Sequence, residues 1–271
     1  LDAAEEVEAA DWFDQSKQPV VISAEDGIQL HGWLFDPDCA GAKPHLYAIC
    51  CHGYSGQPQD MAKYAHRFAR LGFTVLVPAL RGHGLSEGRY AGMGWLDRRD
   101  LMRWISLIIG SDADARILLQ GKSMGAAAVM MTVGEPDLPR NVVAAVEDCG
   151  YASVGQQFID CARSMFHLPK FLAKPIVTTM GAIARRRAGY GFQEASCVEQ
   201  LKHATIPMLF IHGGADDFVP SRALDENFDA CASIDRQKLL IPSAGHSMSA
   251  STAPVVYWKT VTNFVTRVFG L

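Results

Sequence analysis

Residues 116–133 read Arg116-Ile117-Leu118-Leu119-Gln120-Gly121-Lys122-Ser123-Met124-Gly125, followed by Ala126-Ala127-Ala128-Val129-Met130-Met131-Thr132-Val133. An apolar β-type run, a Gly-x-Ser-x-Gly pentapeptide and a helix-forming run predict a strand that turns sharply into a helix with Ser123 at the apex. Such a turn lifts a hydroxyl clear of a sheet. The glycines let neighbouring backbone approach, and the helix N-terminus beneath favours developing negative charge. The stretch also contains Gly-Lys-Ser, but a phosphate loop needs a glycine where Arg116 stands, and no Gly-x-Gly-x-x-Gly occurs in the chain.

Outward from this turn, short β-rich runs alternate with helical patterns, which predicts an α/β fold around a mostly parallel sheet. Pro19 to Ser23 and Ile28 to Phe35 flank Asp26-Gly27, a strong hairpin signal. Further strands are expected at Leu46 to Cys51, Phe73 to Pro78, Arg116 to Gln120, Val142 to Glu147, Met208 to His212 and Lys238 to Pro242. That makes about eight, the last six apolar enough to be buried on both faces. Helical periodicity runs through Met61, Tyr64, Ala65, Phe68 and Leu71, through Leu101, Trp104, Ile105 and Ile108, and from Pro254 to the C-terminus. Residues 149–204 break the rhythm. They are read as a helical cap inserted after the sixth strand, within one domain spanning 1–271.

A serine hydroxyl needs a base to take its proton. His246, in Ser243-Ala244-Gly245-His246-Ser247, follows a predicted strand and is the candidate. The imidazole needs a carboxylate to fix its tautomer. Asp216, in His212-Gly213-Gly214-Ala215-Asp216-Asp217, is favoured, with Asp217 and Asp148 as alternatives. An oxyanion needs two donors: the N–H of Met124 and, from Cys51-His52-Gly53-Tyr54, the N–H of Tyr54. Arg81-Gly82-His83-Gly84 is read as scaffold beside the site. In the cap, Phe158, Met165 and Phe171 are the candidate substrate-binding residues, on an apolar surface suited to an acyl or aryl group. Arg185-Arg186-Arg187 is explained by a helix C-terminus, with contact to an anionic substrate as the alternative.

With 25 Lys+Arg against 29 Asp+Glu, the 271-residue chain carries −4, the wrong sign for a nucleic-acid partner. Seven scattered cysteines show neither Cys-x-x-Cys nor zinc spacing, which predicts a reducing compartment, the cytoplasm, and no metal or other cofactor. No apolar run approaches the ~20 residues of a membrane span, so membrane contact is not indicated. The chain opens on Leu1, which leaves a signal or anchor upstream open.

These motifs together resemble the α/β-hydrolase superfamily over essentially the whole chain. The sequence is most similar to its bacterial serine aminopeptidase-like and carboxylesterase-like branch. The resemblance rests on His52-Gly53-Tyr54, Arg81-Gly82-His83-Gly84, Gly121-Lys122-Ser123-Met124-Gly125, His212 to Asp216 with Val219-Pro220, and Gly245-His246. It implies helices on both faces of the sheet and a Ser123–His246–Asp216 triad. It also implies a small-molecule ester as substrate, cleaved through an acyl-enzyme. Two rivals are an aminopeptidase or amidase, which should present a carboxylate to a free amine (Asp160 and Glu194 being nearest), and a non-catalytic binding module.

Overall fold

The computed structural model describes residues 2–271. Helix α1 (Asp2–Ser16) precedes the hairpin β1 (Gln18–Ser23) and β2 (Gln29–Phe35). Then follow β3 (Leu46–Cys51), α2 (Ala62–Arg70), β4 (Thr74–Pro78), α3 (Asp97–Ser111), β5 (Arg116–Lys122), α4 (Met124–Val133) and β6 (Val142–Asp148). The crossover to β7 (Met208–Gly213) holds α5 (Val154–Phe166), α6 (Lys170–Ala188) and α7 (Cys197–Leu201). The chain closes with α8 (Arg222–Ala230), β8 (Arg236–Ile241), α9 (Ser249–Thr252) and α10 (Pro254–Phe269).

All eight strands form one sheet in the order β1-β2-β4-β3-β5-β6-β7-β8. Only the β1–β2 and β2–β4 pairs are antiparallel. Strand residues alternate between two apolar layers, as the period of two requires. Ile49, Ile117, Leu119, Ala145 and Phe210 pack with α3, α4 and α8 on one face. Ala48, Cys50, Leu118, Val146 and Ile211 pack with α1, α2 and α10 on the other. Register aligns the C-terminal strand ends: Cys51 pairs with Gly121, Lys122 with Asp148, Asp148 with Ile211 and Gly213 with Ile241. The loops leaving β3, β5, β6, β7 and β8 therefore emerge along one edge of the sheet.

Two features depart from the sequence reading. β8 is an edge strand paired with β7 alone, and its Gln237 and Lys238 are exposed rather than buried on both faces. Charged residues on an edge discourage further strand pairing. Helix α1 carried no clear apolar periodicity, because it buries little beyond Ala9 and Phe13. No helix among the described residues is long and apolar enough to cross a membrane.

Candidate active site

Ser123 stands where β5 passes into α4. A Cβ on Gly121 would collide with the Gly125 carbonyl, and one on Gly125 with the Cys51 and His52 carbonyls. Two glycines are thus a steric requirement of the turn. Ser123 itself has φ +56° and ψ −119°, a conformation that costs on the order of 1–3 kcal/mol outside glycine. The surroundings hold it: its N–H donates to the Asp148 carbonyl at 2.8 Å, and its own carbonyl accepts from Ala127 at 3.0 Å.

The Ser123 Oγ lies 2.8 Å from His246 Nε2, and His246 Nδ1 lies 2.7 Å from Asp216 Oδ2. Asp216 Oδ1 accepts from the Phe218 and Val219 amides at 3.0 and 2.8 Å. Burial alone would raise the pKa of this carboxyl. Hydrogen bonds from His212 and His246 and the Val219 amide more than offset it and hold Asp216 well below the usual carboxylate range. Of the three carboxylates considered, Asp216 is the one hydrogen-bonded to His246. Asp217 is exposed. Asp148 accepts instead from the Tyr257 hydroxyl at 2.9 Å, and burial pushes its pKa to about 6.

Opposite Ser123, the loop after β3 is fixed by His52. Burial lowers this imidazole to about 4, so it is neutral near pH 7. Its Nδ1–H donates to the Gly53 carbonyl at 2.8 Å, and its Nε2 accepts from the Leu80 amide at 3.0 Å. The next turn is braced by His83, whose Nε2 accepts from the Ser55 amide at 3.1 Å and whose Nδ1 donates to the Arg81 carbonyl at 3.0 Å. Arg81 in turn is clamped by Asp26 and Asp100. The Arg81-Gly82-His83-Gly84 stretch thus props the loop that carries Tyr54.

Tyr54, Ser123 and Met124 border a cavity of about 480 Å³. Phe158 of α5 and Met180 and Ile183 of α6 also line it. Among the described residues, Arg187 is the one charged lining residue, and none is acidic. Met165 and Phe171, expected here, lie elsewhere: they are 63% and 75% exposed, at the tip where α5 gives way to α6. Helical spacing puts Met165 on the apolar face with Phe158, and Phe171 continues that apolar surface, but neither signal shows that the hairpin outruns the cavity. A second cavity, of about 520 Å³, lies on the far side of Phe192 and does not reach Ser123.

Sequence reasoning missed His212. Its Nε2 lies 3.4 Å from Asp216 Oδ2 and 3.0 Å from the Val219 carbonyl. The signal was available, because His212 stands four residues before Asp216 at the end of β7. Cys149 was also missed. Its donor atom and those of Asp216 and His246 lie within 4.8 Å of one another, which is where this site could hold a thiophilic cation. Burial pushes the thiol pKa well up, so it does so only by giving up a tightly held proton.

An eight-stranded, mostly parallel sheet with a serine on a strand–helix turn defines an α/β hydrolase. The chain belongs to the serine aminopeptidase S33 family, whose sequence profile matches residues 42–180, just over half of it. It is 26% identical over 255 residues to the uncharacterized protein YqkD of Bacillus subtilis (strain 168), covering 93% of this chain and 81% of that one. Among solved structures it resembles the Pyrococcus furiosus esterase Pf2001, with a TM-score of 0.74 and 20% identity over 93% of this chain and 92% of that one. The Pyrococcus horikoshii acylaminoacyl peptidase matches with a TM-score of 0.66 and 15% identity, over 93% of this chain and 42% of that one. At these identities the structural likeness concerns the fold.

Proposed function

We propose that the protein is a cofactor-independent serine hydrolase that cleaves neutral carboxylic esters of small to medium acyl size. One observation carries this reading: the Ser123–His246–Asp216 hydrogen-bond chain opens into an apolar cavity with no acidic lining residue. His246 Nε2 takes the Ser123 proton as Oγ attacks the ester carbonyl. Asp216 keeps Nδ1 protonated and stabilises the imidazolium that forms. The N–H groups of Met124 and Tyr54 receive the oxyanion. The imidazolium then gives its proton to the leaving alcohol, and water attacks the acyl-enzyme by the same route. Helices α5 and α6 act as a cap that supplies the acyl-side wall.

The family's label favours a second reading, an aminopeptidase. A free α-ammonium entering this cavity would meet apolar side chains and Arg187 rather than a carboxylate. Asp160 is bound to Arg222. Glu194 accepts from the Gly191 amide at 2.6 Å and pairs with Arg185 at 3.1 Å. Neither lines the cavity. The two readings separate on p-nitrophenyl acyl esters against aminoacyl p-nitroanilides. Ester turnover should dominate, and faster anilide turnover would overturn the proposal.

A further inference from the structure

The α5–α6 hairpin shows an unusual surface. Met165, Phe166, Phe171, Leu172 and Ile176 are all exposed, Phe166 to 69% and Phe171 to 75%. Large apolar side chains grouped in this way mark an interaction face rather than ordinary scatter. Along α6, Leu172, Ile176, Met180 and Ile183 recur at spacings of four, four and three residues, which makes one stripe, while Ala173, Val177 and Gly181 face inward.

Charge is segregated to the same place. Residues 161–188 contain six Lys and Arg and no Asp or Glu, leaving 19 basic against 29 acidic residues in the rest of the chain. All six are exposed. Arg185 pairs with Glu194, whereas Arg163, Lys170, Lys174, Arg186 and Arg187 have no ion-pair partner among the described residues. An acidic protein thus concentrates exposed cations and exposed apolar side chains on one hairpin. Exposed apolar side chains with unpaired cations at the same hairpin tip (Arg163, Lys170) and at the far end of the stripe (Arg186, Arg187) match a lipid surface with anionic headgroups: the former enter the acyl boundary and the latter meet the phosphates.

The stripe is continuous with the site. Met180 and Ile183 are exposed on α6 and also line the cavity that contains Ser123, as does Arg187. We infer that the α5–α6 hairpin docks the protein peripherally on an anionic bilayer, with the mouth of the Ser123 cavity at the lipid surface. The inference does not rest on the ester reading, because binding is measured without turnover.

The test is co-sedimentation of the full chain with vesicles of equal phosphatidylglycerol and phosphatidylcholine, and with phosphatidylcholine alone. Protein should pellet with the anionic vesicles, much less with the neutral ones, and less again as salt rises. The double variant Phe166→Asp/Phe171→Asp should lower the partition coefficient about tenfold or more, and Arg163→Glu/Lys170→Glu should do the same. These side chains sit at an exposed tip, so circular dichroism should stay that of the parent. If one pair fails to fold, the other decides. Wild-type protein left in the supernatant with anionic vesicles would overturn the inference, as would double variants that bind like the parent. A vesicle-free dimer that the phenylalanine pair dissociates would also overturn it, by assigning the face to a second copy of the chain.

Discussion

His212 reaches the same carboxylate oxygen as His246: its Nε2 lies 3.4 Å from Asp216 Oδ2, which meets His246 Nδ1 at 2.7 Å. His212 is fully buried, and its Nδ1 has no hydrogen-bond partner among the described residues. Burial alone would lower its pKa, yet the Asp216 hydrogen bond and the nearby Glu147 more than offset this and raise it. In the proposed mechanism a buried imidazole held this way positions Asp216. His212→Gln should lower kcat for ester hydrolysis by between about ten- and a hundredfold with KM little changed, because it lets the carboxylate shift. An unchanged kcat in a folded variant would show that His212 only fills space.

Glycines around Ser123 separate chemistry from folding. A Cβ on Gly53 would sit 3.2 Å from the Ser123 Cβ and 3.7 Å from its Oγ, so Gly53→Ala crowds the proposed nucleophile while the backbone stays permissive. Its kcat should fall with melting temperature nearly unchanged. Gly125→Ala drives a methyl group into the Cys51 and His52 carbonyls. Overpacking of this kind costs about 1–3 kcal/mol or more, so that variant should melt several degrees lower. Equal losses of stability in the two variants would contradict the distinction.

Most of this arrangement was legible in the sequence for physical reasons. Buried parallel strands must be near-continuous apolar runs, and the turn at Ser123 tolerates only glycine at positions 121 and 125. The three polar candidates each follow a predicted strand end, and register then carries them to one edge. Side-chain reach was less legible. Met165 shares the helical phase of Phe158 and Phe171 continues the apolar run, but neither phase nor composition says where a hairpin stops. The choice among Asp216, Asp217 and Asp148 likewise depends on which carboxylate reaches His246, a matter of loop geometry.

Buried acids make stability depend on pH. Burial pushes Glu147 up to about 8, although His212 and the Gly150 amide draw it partway back. Its folded pKa therefore exceeds its unfolded value of about 4.3. The folded state holds the proton more tightly, so this stabilisation is fully present below the unfolded value and is lost as pH rises through about 8. Glu147→Gln keeps an acceptor for Gly150 and removes the charging step. Its melting temperature should exceed that of wild type at pH 8, by on the order of 5 °C, with the gain shrinking toward pH 5. Comparing the two proteins cancels the opposite contribution of His52, which lies below about pH 6.5. A gain independent of pH would contradict the titration.

Phe192 divides the two cavities, lining both and stacking on Phe158 with ring centroids 4.8 Å apart. Phe192→Ala should join the space of about 480 Å³ beside Ser123 to the 520 Å³ beyond it. The optimum in a p-nitrophenyl ester series should then move to longer acyl chains. An unchanged optimum would place the acyl group on another wall.

The decisive measurement is hydrolysis of the p-nitrophenyl series from acetate to palmitate by wild type and Ser123→Ala side by side, with fluorophosphonate labelling of each. Wild type should turn over a subset of these esters and take the label. The variant should fold, lose the label and fall by at least about 10³ in kcat, the scale on which a nucleophile acts. Turnover retained in Ser123→Ala would contradict the serine mechanism outright.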